Sequence, residues 1–167
     1  MKEKVLVIGG AGYVGARLVG DLLKENYNVT VFDLFIYDVN IFDKYKDNEN
    51  FKQIKGDIRD LNLIKSSLDN IDHIIHLACI SNDPSFDLNP NLGKSINFDC
   101  FGPLVEEASK KNVKRFIFAS SSSIYGSKDE ENVTEDLSKE PQTDYAKYKL
   151  ECEKILLNDK SIMVKCI

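Results

Sequence analysis

VLVIGGAGYVG, residues 5–15, is an apolar run that meets glycines at positions 9, 12 and 15 and then an amphipathic segment. Continuous Val, Leu and Ile without alternation predict a strand buried on both faces over Lys4–Ile8. Residues 13–25 predict a helix with Val14, Leu18, Leu22 and Leu23 on one face. Between strand and helix each glycine has its own task. Gly9 permits the tight turn, Gly12 lets a pyrophosphate approach the backbone, and Gly15 lets the helix lie against the strand. The free amides and dipole at the helix N-terminus then favour phosphate.

The next apolar run, NVTVFD (Asn28–Asp33), reads as a second strand and ends on a carboxylate 18 residues after Gly15. An acid at that place accepts hydrogen bonds from the adenosine ribose hydroxyls. It repels a 2′-phosphate, and residues 34–37 hold no Lys or Arg to offset the repulsion. The cofactor expected from these residues is therefore NAD, not NADP.

The same alternation continues along the chain. Strands are expected at FKQIKGD (51–57), IDHIIHLA (71–78), VKRFIFAS (113–120) and SIMVKCI (161–167). Helices are expected at LNLIKSSL (61–68, capped by Asp60), over 91–111, and at TDYAKYKLECEKILLND (143–159, capped by Thr143 or Asp144). Pro103 should kink the 91–111 helix or mark its first turn. Segments 35–50 and 80–92 read as polar loops. Strands alternating with helices predict an α/β fold: a doubly wound parallel sheet (Rossmann fold) with helices on both faces, one domain over residues 1–167. Ligands in such sheets sit at the C-terminal ends of the strands.

Composition narrows the function. The 167 residues suffice for one core, and a net charge of −5 gives no basic field for nucleic acid or an anionic membrane. The local KKNVKR cluster (110–115) reads as a solvated helix end and strand start. The opening MKEK-VLVI is too short for a secretory core, and no apolar stretch approaches membrane-spanning length. Four cysteines without CxxC spacing fit a reduced cytoplasmic protein. His73 and His76 point to opposite sides of a strand, so no metal site is expected. His73 is assigned to packing or the strand edge, and His76 to the cofactor's surroundings.

Several further stretches resemble the extended short-chain dehydrogenase/reductase family, also called the NAD-dependent epimerase/dehydratase family. They are the three-residue glycine spacing, GDIRD (56–60), HLAC (76–79), Asn97, SSSSIYG (120–126) and YAKYK (145–149), and in order and spacing they span nearly the whole chain. The resemblance implies that Gly9, Gly12, Tyr13, Val14, Gly15 and Asp33 hold the cofactor with Asp57 and Ile58 near adenine, Leu77 and Ala78 alongside, and Asn97, Ser120, Tyr145 and Lys149 toward the nicotinamide. It implies a nucleotide-sugar substrate and a homodimer. Members continue for roughly as many residues again, so a C-terminal sugar-binding domain is expected outside this chain, and the 167 residues alone should bind NAD but turn over little sugar. Two departures stand out: Cys79 replaces an alanine, and Cys100 stands where a glycine is usual, which should reshape the start of the following helix.

Tyr145 and Lys149 lie one helical turn apart and so share a face. A phenol with a pKa of about 10 is a poor base at neutral pH. A nearby ammonium and an oxidised nicotinamide favour the phenolate, which can take the proton of a substrate hydroxyl as hydride leaves the same carbon. Ser121 is expected to bond the reacting oxygen, with Ser120 facing the other side of the strand. Lys147 and Tyr148 fall outside this spacing and are assigned to surface or packing. Ser122 and Ser123 stand where resembling 4,6-dehydratases carry an Asp-Glu pair, so water elimination is not expected. An NAD-dependent epimerase on a nucleotide-activated sugar is the leading reading. A reductase or dehydrogenase, or a non-catalytic NAD-binding protein, stands beside it.

Overall fold

A computed structural model describes residues 2–167. Its six strands are β1 (Lys4–Ile8), β2 (Asn28–Asp33), β3 (Phe51–Lys55), β4 (His73–His76), β5 (Arg115–Phe118) and β6 (Met163–Cys166). They form one sheet in the order β3-β2-β1-β4-β5-β6, with every neighbouring pair parallel. The order reverses between β1 and β4, and a crevice opens there at the strand ends. The expected doubly wound α/β sheet is the fold observed.

Alternation along the strands builds two cores. Leu6 and Ile8 of β1, Phe32 of β2, Ile74 of β4 and Phe116 and Phe118 of β5 pack with Leu104, Val105, Ala108, Cys152 and Leu156. Val5, Val7, Val29, Val31 and Ile75 point the other way, onto Val19, Phe35 and Phe42. The helices that cover these faces are α1 (Tyr13–Lys24), α2 (Leu61–Ser67), α5 (Phe101–Lys110) and α6 (Asp144–Asn158). Asp60 caps α2 by accepting from the Asn62 and Leu63 amides, and Thr143 caps α6 through the Ala146 amide. Asp60→Ala is expected to cost about 1 kcal/mol of stability, measurable by urea unfolding.

Four expectations are corrected. Val14 is 61% exposed, whereas Gly15, Val19 and Gly20 are the buried face of α1. Gly15 has no side chain to hold the helix off the Gly10 backbone, so the contact stripe runs through it and Val14 falls to one side. Segment 80–92 is not all loop: it holds α3 (Asp83–Asp87) and the start of α4 (Pro90–Lys94), capped by Asn82 and Asn89. Segment 35–50 likewise contains a 3-10 turn, Asp43–Tyr45. The 91–111 helix is three pieces. A π-helical turn, Ser95–Asp99, joins α4 to α5, and Pro103 sits in the first turn of α5, where its missing amide proton costs nothing. Among the described residues no helix is long and apolar enough to cross a membrane.

Candidate functional site

A cavity of about 190 Å³ lies at the crevice. Gly9, Gly12, Asp33, Asp57, Ile58, Leu77 and Ala78 line it. Tyr13, Val14, Gly15, Asn97, Ser120, Ser121, Tyr145 and Lys149 stand outside it.

The glycine turn has the shape the spacing requires. Gly9 has φ +80, and a Cβ there would come within 2.4 Å of the Ala78 backbone nitrogen, so the turn is pressed directly on the end of β4. A Cβ on Gly12 would meet only the Gly9 carbonyl oxygen, at 3.5 Å. That opening faces the start of α1, where no side chain caps the helix and no acid occupies the first turn. The first-turn amides therefore lack an intrahelical acceptor and face no competing anion, which fits a phosphate.

Asp33 is more than a rim acid. Its Oδ2 accepts from the Ala11 amide at 2.9 Å, and its Oδ1 from the Phe35 amide at 2.8 Å. Phe35 holds φ +55, a left-handed conformation that is uncommon for a bulky residue, with its ring buried against Phe42. This turn sends Leu34, Ile36 and Tyr37 to the cavity wall. The sequence reading missed these three. Four apolar residues in a row directly after Asp33, in a segment read as polar loop, were the signal.

On the opposite wall, Arg59 grips Asp57 through two guanidinium nitrogens. That contact, more than any other, holds the Asp57 carboxyl below the usual carboxylate range. Asn97 sits buried in the π-helical turn, with Oδ1 accepting from the Ile80 amide at 2.8 Å and Nδ2 donating to the Ile80 carbonyl at 2.9 Å. This two-point clamp fixes the strand exit that carries Cys79 and Ile80, both on the cavity wall. Cys100, the residue before α5, donates its thiol to the Ile96 carbonyl at the end of the π-helical turn.

Tyr145 is the second residue of α6, and the Ser121 hydroxyl and the Asn82 amide are the neighbours that draw its phenol pKa down. Lys149 follows one turn later, only 4% exposed. Its ammonium donates to the Ala119 carbonyl at 2.6 Å, lies 4.7 Å from the Phe118 ring centroid and 5.9 Å from that of Tyr145. The phenol is pushed up from its ordinary value, by burial first and then by Cys79, against the pull of Ser121 and Asn82. Burial is the largest influence on the phenol, and the Lys149 ammonium is committed to the Ala119 carbonyl. Ser121 caps the 3-10 turn Ser122–Tyr125, and Ser122 is exposed. The Ser120 amide bonds the Ile167 carbonyl, and its buried hydroxyl has no partner among the described residues. Lys147 pairs with Asp144 at the surface, and Tyr148 stacks on Phe98, as expected of neighbours with no part in the spacing.

His76 does not line the cofactor crevice. It is 3% exposed, wedged among Phe101, Phe116 and Phe118, and neither ring nitrogen has a partner. Strand alternation turns it with Ile74 into the core. Burial, reinforced by the Lys149 charge, lowers its pKa to about 3. The unfolded chain then binds a proton near pH 6.5 that the folded chain refuses until about pH 3. Stability is full above pH 6.5 and declines as pH falls through that window, by about 3 kcal/mol at pH 4. His76→Leu is expected to flatten that part of the stability–pH curve; an unchanged slope in urea titrations would contradict it. His73 instead meets Glu3 at 3.1 Å near the strand start.

A model of the NAD dependent epimerase/dehydratase family matches residues 5–161. The chain is 34% identical over 155 residues to UDP-glucose 4-epimerase of Lactobacillus helveticus, covering 92% of this chain and 46% of that one. It is 33% identical over 160 residues to D-erythronate dehydrogenase of Haemophilus influenzae, covering 95% and 50%. Among solved structures, UDP-glucuronic acid 4-epimerase from Bacillus cereus, in complex with UDP-glucuronic acid and NAD, matches with a TM-score of 0.86 at 29% identity, over 98% of this chain and 55% of that one. The chain spans about half the length of the curated relatives it matches. Glycine turn, sheet order and a family model spanning nearly the whole chain agree: the chain belongs to the NAD dependent epimerase/dehydratase family, whose cofactor is NAD.

Proposed function

We propose that residues 1–167 form the cofactor-binding and proton-transferring domain of an enzyme that epimerises a nucleotide-activated sugar. One observation carries this reading. The strand exit 77–82 lines the cavity with Leu77, Ala78, Cys79 and Ile80 and runs into α3, whose Phe86 ring packs on that of Tyr145, so a single short segment joins the cofactor crevice to the Tyr145 pair.

In this reading the α1 amides and Gly12 hold the pyrophosphate, Asp33 the adenosine ribose, and Asp57 and Ile58 flank adenine. Bound NAD supplies a hydride acceptor and donor together with a positive ring. Tyr145 exchanges the proton of the substrate hydroxyl, Ser121 donates to the reacting oxygen, and Lys149 places its ammonium beneath both. Because burial and then Cys79 raise the Tyr145 pKa, the phenolate depends on positive charge brought in with the cofactor. Ser122 and Ser123 cannot serve as an acidic pair, which favours epimerisation over water elimination.

A dehydrogenase is the second reading, supported by the similarity to D-erythronate dehydrogenase. The two part in one assay. Full-length protein with NAD and a panel of UDP-hexoses is followed at 340 nm and by NMR of the sugar. An epimer with no lasting absorbance is the expected result, whereas stoichiometric absorbance with an oxidised product favours the dehydrogenase. The 167 residues alone are expected to bind NAD and leave the sugars unchanged, and the full-length enzyme to be a homodimer by light scattering.

Asp33→Ala is expected to weaken NAD roughly tenfold or more, and NADP less. Asp33 also holds the Ala11 and Phe35 amides, so loss of the turn alone would weaken both dinucleotides equally. Calorimetry with each separates the two effects.

A further inference from the structure

Ser123 has no task in the reading above, yet it touches the hydroxyl on which that reading depends. Ser121 has extended backbone, φ −159 and ψ 141, and its Oγ accepts from the Ser123 amide at 3.2 Å. The two hydroxyl oxygens are 2.7 Å apart, and either can be the donor. A serine hydroxyl has one proton and two lone pairs. The amide occupies one lone pair. If Ser121 gives its proton to Ser123, it can only accept from Tyr145, and a phenolate there loses a donor. If Ser123 donates instead, both lone pairs of Ser121 are filled and its proton is left for the phenol oxygen.

We propose that Ser123 is a positioning residue: its hydroxyl donates to Ser121 and so locks Ser121 as a donor toward Tyr145 or the reacting substrate oxygen. Ser122 cannot do this, since it is exposed and Ser121 makes no bond with it, and Ser120 has a buried hydroxyl without any partner. The inference rests on Tyr145 being the proton-transfer group. It gives the third and fourth positions of the serine run different tasks, and it makes a hydroxyl at position 123, not merely a small side chain, the requirement.

The test uses the 167-residue protein saturated with NAD and labelled with ¹³C at the tyrosine ring carbon bearing the hydroxyl. The phenolate fraction is read by NMR from pH 7 to 10.5, and Tyr145→Phe identifies the resonance. Ser123→Ala is expected to raise the Tyr145 midpoint by about one pH unit, the scale of one hydrogen bond to a charged group. Ser123→Thr, which keeps the hydroxyl, should restore the original midpoint. A purely structural role would lower the melting temperature and leave the midpoint in place. An unmoved midpoint in Ser123→Ala, or the same rise in Ser123→Thr, overturns the proposal. Should Ser123→Ala not fold, Ser123→Cys, a weaker donor, is expected to raise the midpoint by less, and no rise overturns it equally. Failure of the underlying reading shows separately: the wild-type Tyr145 resonance would then ignore NAD.

Discussion

Tyr145→Phe in the full-length protein should lower the rate of hydride transfer by roughly 10²–10⁴-fold, the usual worth of a positioned acid–base group. NAD affinity should change little. Tyr145 does not line the crevice where the glycine turn and Asp33 stand. The substitution removes one oxygen from a side chain only 9% exposed and leaves the ring in place against Phe86, so the fold should tolerate it. Single-turnover absorbance at 340 nm, with NAD binding measured in parallel, reads both quantities. Turnover within a factor of a few of wild type would remove Tyr145 from the chemistry.

The second large effect separates two glycines that look alike in sequence. Gly9→Ala should lose both stability and NAD binding. The new methyl would lie 2.4 Å from the Ala78 nitrogen and 2.6 Å from its Cα, on a backbone at φ +80 that side chains rarely adopt. Neither contact is a flexible side chain that can swing away, so β4 or the turn must move, at an expected cost of roughly 2–4 kcal/mol. Gly12→Ala should behave differently. Its backbone, φ −80 and ψ 179, accepts any residue, and its nearest protein atom would be 3.5 Å away. The melting temperature should hold, while NAD weakens by roughly 10²-fold or more because the methyl takes the place of a phosphate oxygen. Thermal unfolding and calorimetry on both variants make the comparison. Equal loss of stability in the two, or intact NAD binding in Gly12→Ala, would contradict this account of the turn.

The parallel sheet and its order of elements were legible because each strand is a short apolar run and each long helix carries a periodic face. The short helices α3 and α4 were not, although their signals were present. Asn82 and Asn89 each precede a proline within two residues, a capping pattern. Five residues are too few to display helical periodicity, so the segment read as loop. His76 was placed beside the cofactor with the rest of HLAC, when alternation with Ile74 already pointed it at the core. The bonds of Asp33 with Ala11 and of Asn97 with Ile80 could not be read. These partners lie 22 and 17 residues away in sequence and meet them only once the sheet has brought the strand ends together. The same holds for Phe35, whose strained turn depends on Phe42 beneath it.

The central claim is that these 167 residues already contain a working NAD site with a preference set by Asp33. Calorimetric titration of NAD and then NADP into the 167-residue protein tests it most directly. Saturable one-to-one binding of NAD and at least tenfold weaker binding of NADP are expected. No saturable binding of NAD, or equal affinity for the two, would contradict it.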